Sequence, residues 1–251
     1  ITVLRKAWIK NRLIDTVKRY LTTFRAMETS KGTSDEIADF LWTQTMNAKR
    51  LSTLRKLAQK IPKVFENEVS VDTSRAYLKF AIIGEIYVVL VQEANYGLER
   101  ILNDLGVITA TNVSLRKFTD VGYKLNPFKQ LPQKAAMKLA AKTKHLKHYC
   151  GGCGQENVGS MLMFQRQGFD GAFHLAPLPC LPEISASYIL EDLSRELDFP
   201  ILPIFADEYE YNAGFQTRIE AFVNSVKVWG KERTTEKKLL PIEPLEAVIT
   251  A

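Results

Sequence analysis

The sequence predicts an α/β fold: a Rossmann-like or flavodoxin-like parallel sheet of about four strands with flanking helices, preceded by an all-helical segment. Three observations carry this expectation. The first 70 residues show only helical periodicity. From residue 77 onward, short apolar runs that contain or abut Gly or Pro recur. Between those runs lie stretches of helical pattern, and strands alternating with helices pack as a parallel sheet with right-handed crossovers.

In order along the chain, Leu4, Trp8, Leu13, Val17 and Leu21 recur at helical spacing, giving a helix over 3–27. Ser30-Lys31-Gly32 breaks it. Thr33-Ser34 then reads as the cap of a second long amphipathic run, with Asp35 and Glu36 in the first turn, where the helix dipole favours carboxylates. Phe40, Leu41, Leu51, Leu54 and Leu57 continue that run to Pro62. Strands are expected at 77–84, 106–110, 171–176 and 200–205, and helices at 94–104, 133–146, 155–167, 182–196 and 214–228. The expected division is a helical segment at 1–72, an α/β lobe at 73–230 and a tail at 231–251.

Composition bounds the function classes. Of 251 residues 46% are hydrophobic and 25% charged, which is ordinary for a globular protein. Lys and Arg number 34 against 28 Asp and Glu, a formal charge of +6. The cations concentrate in 5–63 and 115–148, within helical patterns, so a solvated face is the plain reading, with an acidic partner or a phosphate-bearing cofactor as the sharper one. No basic–aromatic motif of a nucleic-acid module occurs, so no nucleic acid is expected as a partner. No apolar run reaches the ~20 residues of a membrane span, so no membrane is expected and the expected compartment is the cytoplasm. Three cysteines, clustered in 150–180, do not make a disulfide framework and suit metal or thiol chemistry in a reducing compartment. The chain begins at Ile1 without Met and reads as the C-terminal fragment of something longer.

Ligands of such sheets bind at the carboxyl ends of the strands. The expected strand ends are Gly84-Glu85-Ile86-Tyr87, Pro177 to Glu183, and Asp207-Glu208-Tyr209-Glu210. Cys180 stands among Pro177, Pro179 and Pro182, which stiffen its backbone; it reads either as a buried small residue or as a thiolate ligand on a rigid loop. Asp207 and Glu208 can accept hydrogen bonds from a hydroxyl or simply be solvated, and Arg218, next to Thr217, can pair with that loop or with an anion. Upstream lies H-L-K-H-Y-C-G-G-C-G, residues 145–154. Three readings stand: zinc held by His145, His148, Cys150 and Cys153; a redox dithiol; or a glycine turn into a helix N-terminus able to take an anion at Gly154. Cys150 and Cys153, preceding the helix that leads into the third strand, are expected nearer the opposite rim unless their loop folds over.

The blocks L-K-F-A-I-I-G-E-I-Y (78–87), G-C-G-Q-E-N-V-G (152–159), G-F-D-G-A-F-H-L-A-P-L-P-C-L-P-E (168–183) and F-P-I-L-P-I-F-A-D-E with G-F-Q-T-R-I-E-A-F (199–222) resemble the 2-hydroxyacyl-CoA dehydratase family, in its activase-associated branch. The likeness spans roughly 75–228. It implies two Rossmann-like lobes holding a 4Fe-4S cluster between them, with Cys180 as a ligand, Glu183 beside it as the catalytic residue, and further thiolates from a lobe before Ile1. Cys150 and Cys153 depart from the branch's cysteine-free G-G-x-G and are candidate replacement metal ligands. The likeness also implies Gly84, Glu85, Tyr87, Gly154, Asp207, Glu208, Thr217 and Arg218 around cofactor or substrate. An ATP-dependent activator protein is the implied partner, an acyl-CoA the implied substrate, and a homo- or hetero-oligomer the implied assembly. A non-catalytic, metal-free docking module for the activator or another subunit, and a zinc-stabilised domain, are the alternative expectations.

Overall fold

The computed structural model describes residues 2–111, 113, 114, 140, 146, 148, 151–206 and 213–231. The described chain forms two compact units that meet in sequence between Tyr77 and Leu78. The expected helix over 133–146 and the tail lie largely outside the described residues, as do His145, Cys150, Asp207 and Glu208.

The first unit is built from α1 (Thr2–Met27), α2 (Thr33–Asn47) and α3 (Leu51–Glu68). Its core gathers Leu13, Val17 and Leu21 of α1, Leu41 of α2, and Leu54, Ile61 and Phe65 of α3, with Phe65 against the rings of Tyr20 and Phe24. Two expectations are corrected here. The second helical run is two helices, parted at Ala48–Arg50, where extended backbone at Ala48 and Arg50 ends one helix and starts the next. Pro62 does not terminate α3 but lies inside it. An interior proline costs about 3 kcal/mol, whereas burying Val64 and Phe65 beyond it gains about 1.5–3 kcal/mol each, so continuing the helix wins. The cap of α2 also differs. Gly32 is the N-cap residue and no side chain of its own caps the helix; the Glu28 carboxylate, arriving from the end of α1, accepts the N–H groups of Gly32 and Ser34, each at 2.9 Å.

The second unit is the expected α/β lobe. Its described elements are β1 (Lys79–Gly84), α4 (Ile86–Leu90), α5 (Leu98–Asp104), β2 (Ile108–Thr111), α6 (Gly154–Arg166), β3 (Gly171–Pro177), α7 (Leu181–Leu197), β4 (Ile201–Ala206) and α8 (Ala213–Lys231). The four strands pair in parallel in the order β2-β1-β3-β4, with Ile83 opposite His174 and Gly84 opposite Leu175. Pro203 sits in β4, an edge strand of this sheet, where a missing N–H is tolerated. The five-residue α4 is an element the sequence reading did not include.

Side chains alternate between the two faces of a strand, and the two faces of this sheet differ. Phe80 and Ile82 of β1 and Phe173 and Leu175 of β3 point to a core completed by Leu98 and Leu102 of α5 and by Phe215, Ile219 and Val223 of α8. Phe80, Phe173 and Phe222 meet there in tilted and edge-to-face contacts, with ring centroids 5.2–5.6 Å apart. The other face presents Ala81, Ile83, Ala172, His174 and Ala176, all buried, beneath α6 and α7. Small residues there let two helices approach closely, and the single polar side chain among them is His174.

Candidate functional site

Strand order 2-1-3-4 reverses direction between β1 and β3, and the crevice at their carboxyl ends is where such sheets bind ligands. At that point Gly84 ends β1 with φ 143°, and a Cβ placed on it would lie 1.9 Å from the carbonyl oxygen of Leu175. Only glycine fits. The close approach is held by the next residue, whose N–H donates to that same Leu175 carbonyl at 2.8 Å. The Glu85 carboxylate accepts the N–H of Val88 at 3.1 Å, so it caps α4.

Each of the two helices on the alanine-lined face starts at a cysteine. Cys153 is the N-cap of α6 and its carbonyl accepts the N–H of Asn157 at 2.8 Å. Cys180 is the N-cap of α7; its N–H donates to Pro177 at 3.1 Å and its carbonyl accepts the N–H of Ile184 at 2.9 Å. Pro182 at the second position of α7 is pre-organised for a first turn that needs no N–H there. The glycines before Cys153 lie against this proline: a Cβ on Gly152 would come within 3.1 Å of Pro182 Cβ.

The cysteine loop thus lies at the same rim as Cys180, which corrects the expectation of the opposite rim. A helix running back antiparallel to the strands starts where they end, so the residues before α6 belong to the carboxyl rim without any further folding over.

Between the two helix starts lies a buried polar chain. Asn157 Nδ2 donates to Glu183 Oε2 at 2.8 Å, and its Oδ1 accepts the N–H of Gly84 at 3.1 Å. A carboxylate oxygen only accepts, so His174 Nε2–H donates to the same Glu183 Oε2, at 2.7 Å. Asn157 and His174 are 1% exposed and Glu183 is 0% exposed. One carboxylate oxygen thereby ties α7 to α6 and β3, and through Asn157 to the end of β1. Among the described residues Glu183 Oε1 and His174 Nδ1 have no hydrogen-bond partner, although both are buried. Buried polar atoms of this kind are few in native proteins and call for an explanation, such as strain, an ordered water, an ion or a chemical role.

The field at this rim is negative. Burial, and then Glu156, Glu183, Glu85 and Cys180, push the Cys153 thiol up to about 12. A cysteine at a helix N-terminus is ordinarily made more acidic; here desolvation and three carboxylates act the other way.

Gly84, Glu85, Cys153, Gly154, Cys180 and Glu183 are therefore brought to one rim. Tyr87 is exposed two residues beyond Glu85, and Leu178 and Leu181 flank Cys180 in the same way. Thr217 and Arg218 are exposed on α8, which packs on the opposite face of the sheet from α6 and α7. His148 is exposed. Among the described residues, no three His, Cys, Asp or Glu side chains are grouped so as to hold a metal ion, and no helix is long and apolar enough to cross a membrane.

His174 and Asn157 were not singled out by the sequence reading, although both stand in quoted blocks. A histidine in an otherwise apolar central strand, with an acidic residue in the first turn of the next helix, is the signal that points to the pair, because a buried imidazole needs a partner.

No protein-family profile matches the chain, and no curated protein sequence matches it.

Proposed function

We propose that this chain is an iron–sulfur component of a 2-hydroxyacyl-CoA dehydratase-like system in the cytoplasm, with Cys180 as a thiolate ligand and an ATP-dependent activator protein as its electron-donating partner. The observation that carries the reading is that Cys180 and Cys153 are the N-cap residues of two helices that start at the carboxyl rim of the sheet. Both thiols sit on rigid starts, as cluster ligands do. A 4Fe-4S cluster takes four ligands, so the two described thiols fit part of a cluster site, and the remaining ligands come from outside the described residues.

When bound, such a cluster supplies one low-potential electron to an acyl thioester. The chain's own residues orient and shield. Pro182 and the turn at Pro177 fix the direction of Cys180, while Asn157, His174 and Glu183 hold the helix starts in a water-excluded layer. Glu183 is the acidic side chain proposed to act beside Cys180.

Anaerobic purification of the longest native form, with assays of iron, sulfide and zinc beside a Cys180→Ala variant, tests the proposal. Iron and sulfide in the wild type that vanish in the variant support it. Iron in neither form refutes it and favours the second reading, a metal-free docking module, for which the observation is the exposed apolar rim of Tyr87, Leu178 and Leu181. Zinc without iron redirects the site to Cys153 and its neighbours.

A further inference from the structure

We infer that the outward face of α3, flanked by Phe40 and Met46 of α2, is a docking surface for an acidic amphipathic helix of a partner protein. The inference is independent of the proposed cluster and concerns the first unit alone. Residues 1–77 carry 15 Lys and Arg against 8 Asp and Glu, a charge of +7 where the whole chain has +6. The excess is concentrated. Between Phe40 and Phe65 stand Lys49, Arg50, Arg55, Lys56, Lys60 and Lys63, with no carboxylate among them. All six are exposed, and among the described residues none of them makes an ion pair.

The row follows the helix. The other side of α3 is sunk in the core of the unit through Leu54, Ile61 and Phe65, so the cations share the outward side and extend, from Arg50 to Lys63, about 20 Å along the axis. Lys49 and Arg50 stand at the N-terminal end, where the helix dipole disfavours cations, and no acidic residue occupies the first turn to offset them. Lys60 lies four positions after Lys56 and three before Lys63, spacings at which like charges on a helix repel. Folding of the unit does not ask for this arrangement.

Apolar groups adjoin the row. Phe40 is 48% exposed, with Lys60 Nζ 5.0 Å from its ring centroid, and Met46 is 60% exposed. The combination selects the partner. Carboxylates repeated every three or four residues on a helix match the pitch of the row, and aromatic, Met and Arg side chains are what protein interfaces favour. A phosphate backbone would answer the charge and leave Met46 unused. A bilayer takes up the apolar side of an amphipathic helix, which α3 buries in its own core.

The test titrates the full chain into a labelled synthetic helical peptide with Glu at every fourth position beside a row of Leu, at physiological salt, where separated charges are screened beyond about 8 Å. Saturable binding in the micromolar range or tighter is expected, and the same peptide with Gln for Glu is expected not to bind. Lys56→Gln/Lys63→Gln should weaken binding by about tenfold, the effect of two exposed ion pairs toward the upper end of their usual strength. Phe40→Ser/Met46→Ser, which changes no charge, should also weaken it by about tenfold, since two half-exposed apolar side chains are lost from the contact. Arg166→Gln/Lys227→Gln removes the same charge from exposed positions of the second unit and should leave binding unchanged. Circular dichroism and thermal melting accompany each variant.

Failure of the Glu peptide to bind overturns the inference and leaves the row a solvated face. So does equal binding of the Gln peptide, or an equal loss in Arg166→Gln/Lys227→Gln, which would make the attraction one of net charge. An oligouridylate or phosphatidylserine vesicles bound more tightly than the peptide at the same salt overturn it in favour of a phosphate-bearing partner. Binding that survives Phe40→Ser/Met46→Ser overturns the docking of an apolar helix side. If Phe40→Ser does not fold, Met46→Ser alone decides that arm.

Discussion

Replacing His174 with Leu is expected to destabilise the second unit far more than a surface change, and removing Glu183 as well is expected to relieve much of that loss. In the wild type, Glu183 is 0% exposed and its Oε2 accepts from His174 at 2.7 Å and from Asn157 at 2.8 Å. The leucine fills the volume but leaves a buried carboxylate with one donor. Breaking one partner of a buried pair costs about 3–5 kcal/mol, and the surviving bond from Asn157 sets the expectation at the lower end, about 3 kcal/mol. For a chain of this size that is a fall in Tm of about 6–12 °C. The double change His174→Leu/Glu183→Met removes the carboxylate and orphans only the Asn157 amide, at about 1–3 kcal/mol. The double variant should therefore be more stable than the sum of the two single losses by about 2–3 kcal/mol. Urea unfolding at constant slope measures the four corners of the cycle, and hydrogen exchange of peptides covering 171–197 assigns the loss to β3 and α7. Strict additivity, or a His174→Leu cost below about 1 kcal/mol, refutes the buried pair as a structural tie.

Three further expectations follow from other contacts. Gly84→Ala places a Cβ 1.9 Å from Leu175 O at φ 143°, so a loss beyond about 4 kcal/mol is expected, read as lost soluble yield and helical signal; a stable, folded variant contradicts the described backbone. Glu28→Ala frees the N–H groups of Gly32 and Ser34, which should cost about 2 kcal/mol in chemical unfolding, whereas Glu28→Gln, with one good acceptor, should recover about half. Cys153, at about 12, keeps its proton in the folded chain while the unfolded chain loses it above about 9. Its contribution to stability is therefore complete below about pH 9 and declines from there toward about 12. The stability–pH curve of Cys153→Ser should lack that decline, and alkylation of Cys153 in the folded protein at pH 8 should be slow against a denatured control.

The sheet was legible because buried parallel strands write themselves as short apolar runs. Tyr77 to Gly84, Gly106 to Ala110, Gly171 to Ala176 and Pro200 to Phe205 each fall within a few residues of an observed strand. The helical start was legible in the periodicity of Leu13, Val17 and Leu21. The break at Ala48–Arg50 was not, since Leu51 and Leu54 continue an apolar pattern across it. Pro62 misleads because a local rule is set against burial that only tertiary packing supplies. The candidate site was half legible. Cys180, Glu183 and Gly84 are marked by proline stiffening, by family likeness and by a strand end. Asn157 carries no local mark, since its role is a bond to a residue 26 positions away, whereas His174 is marked only as a polar residue in an apolar strand, its partner nine positions on. The rim of the cysteine loop depends on helix direction, which topology fixes and composition does not.

The contrast between the two faces of the sheet has a consequence for how the molecule fails. The Phe80–Phe173–Phe222 side is held by apolar burial, whose strength fades on cooling. The side under α6 and α7 relies on alanines that allow close approach and on one shared carboxylate oxygen, so it is held by a few directed bonds rather than by buried area. One domain is thereby held by two kinds of force that respond differently to temperature. Cold is expected to loosen the aromatic side first, while the hydrogen-bonded rim at Cys153 and Cys180 keeps its register.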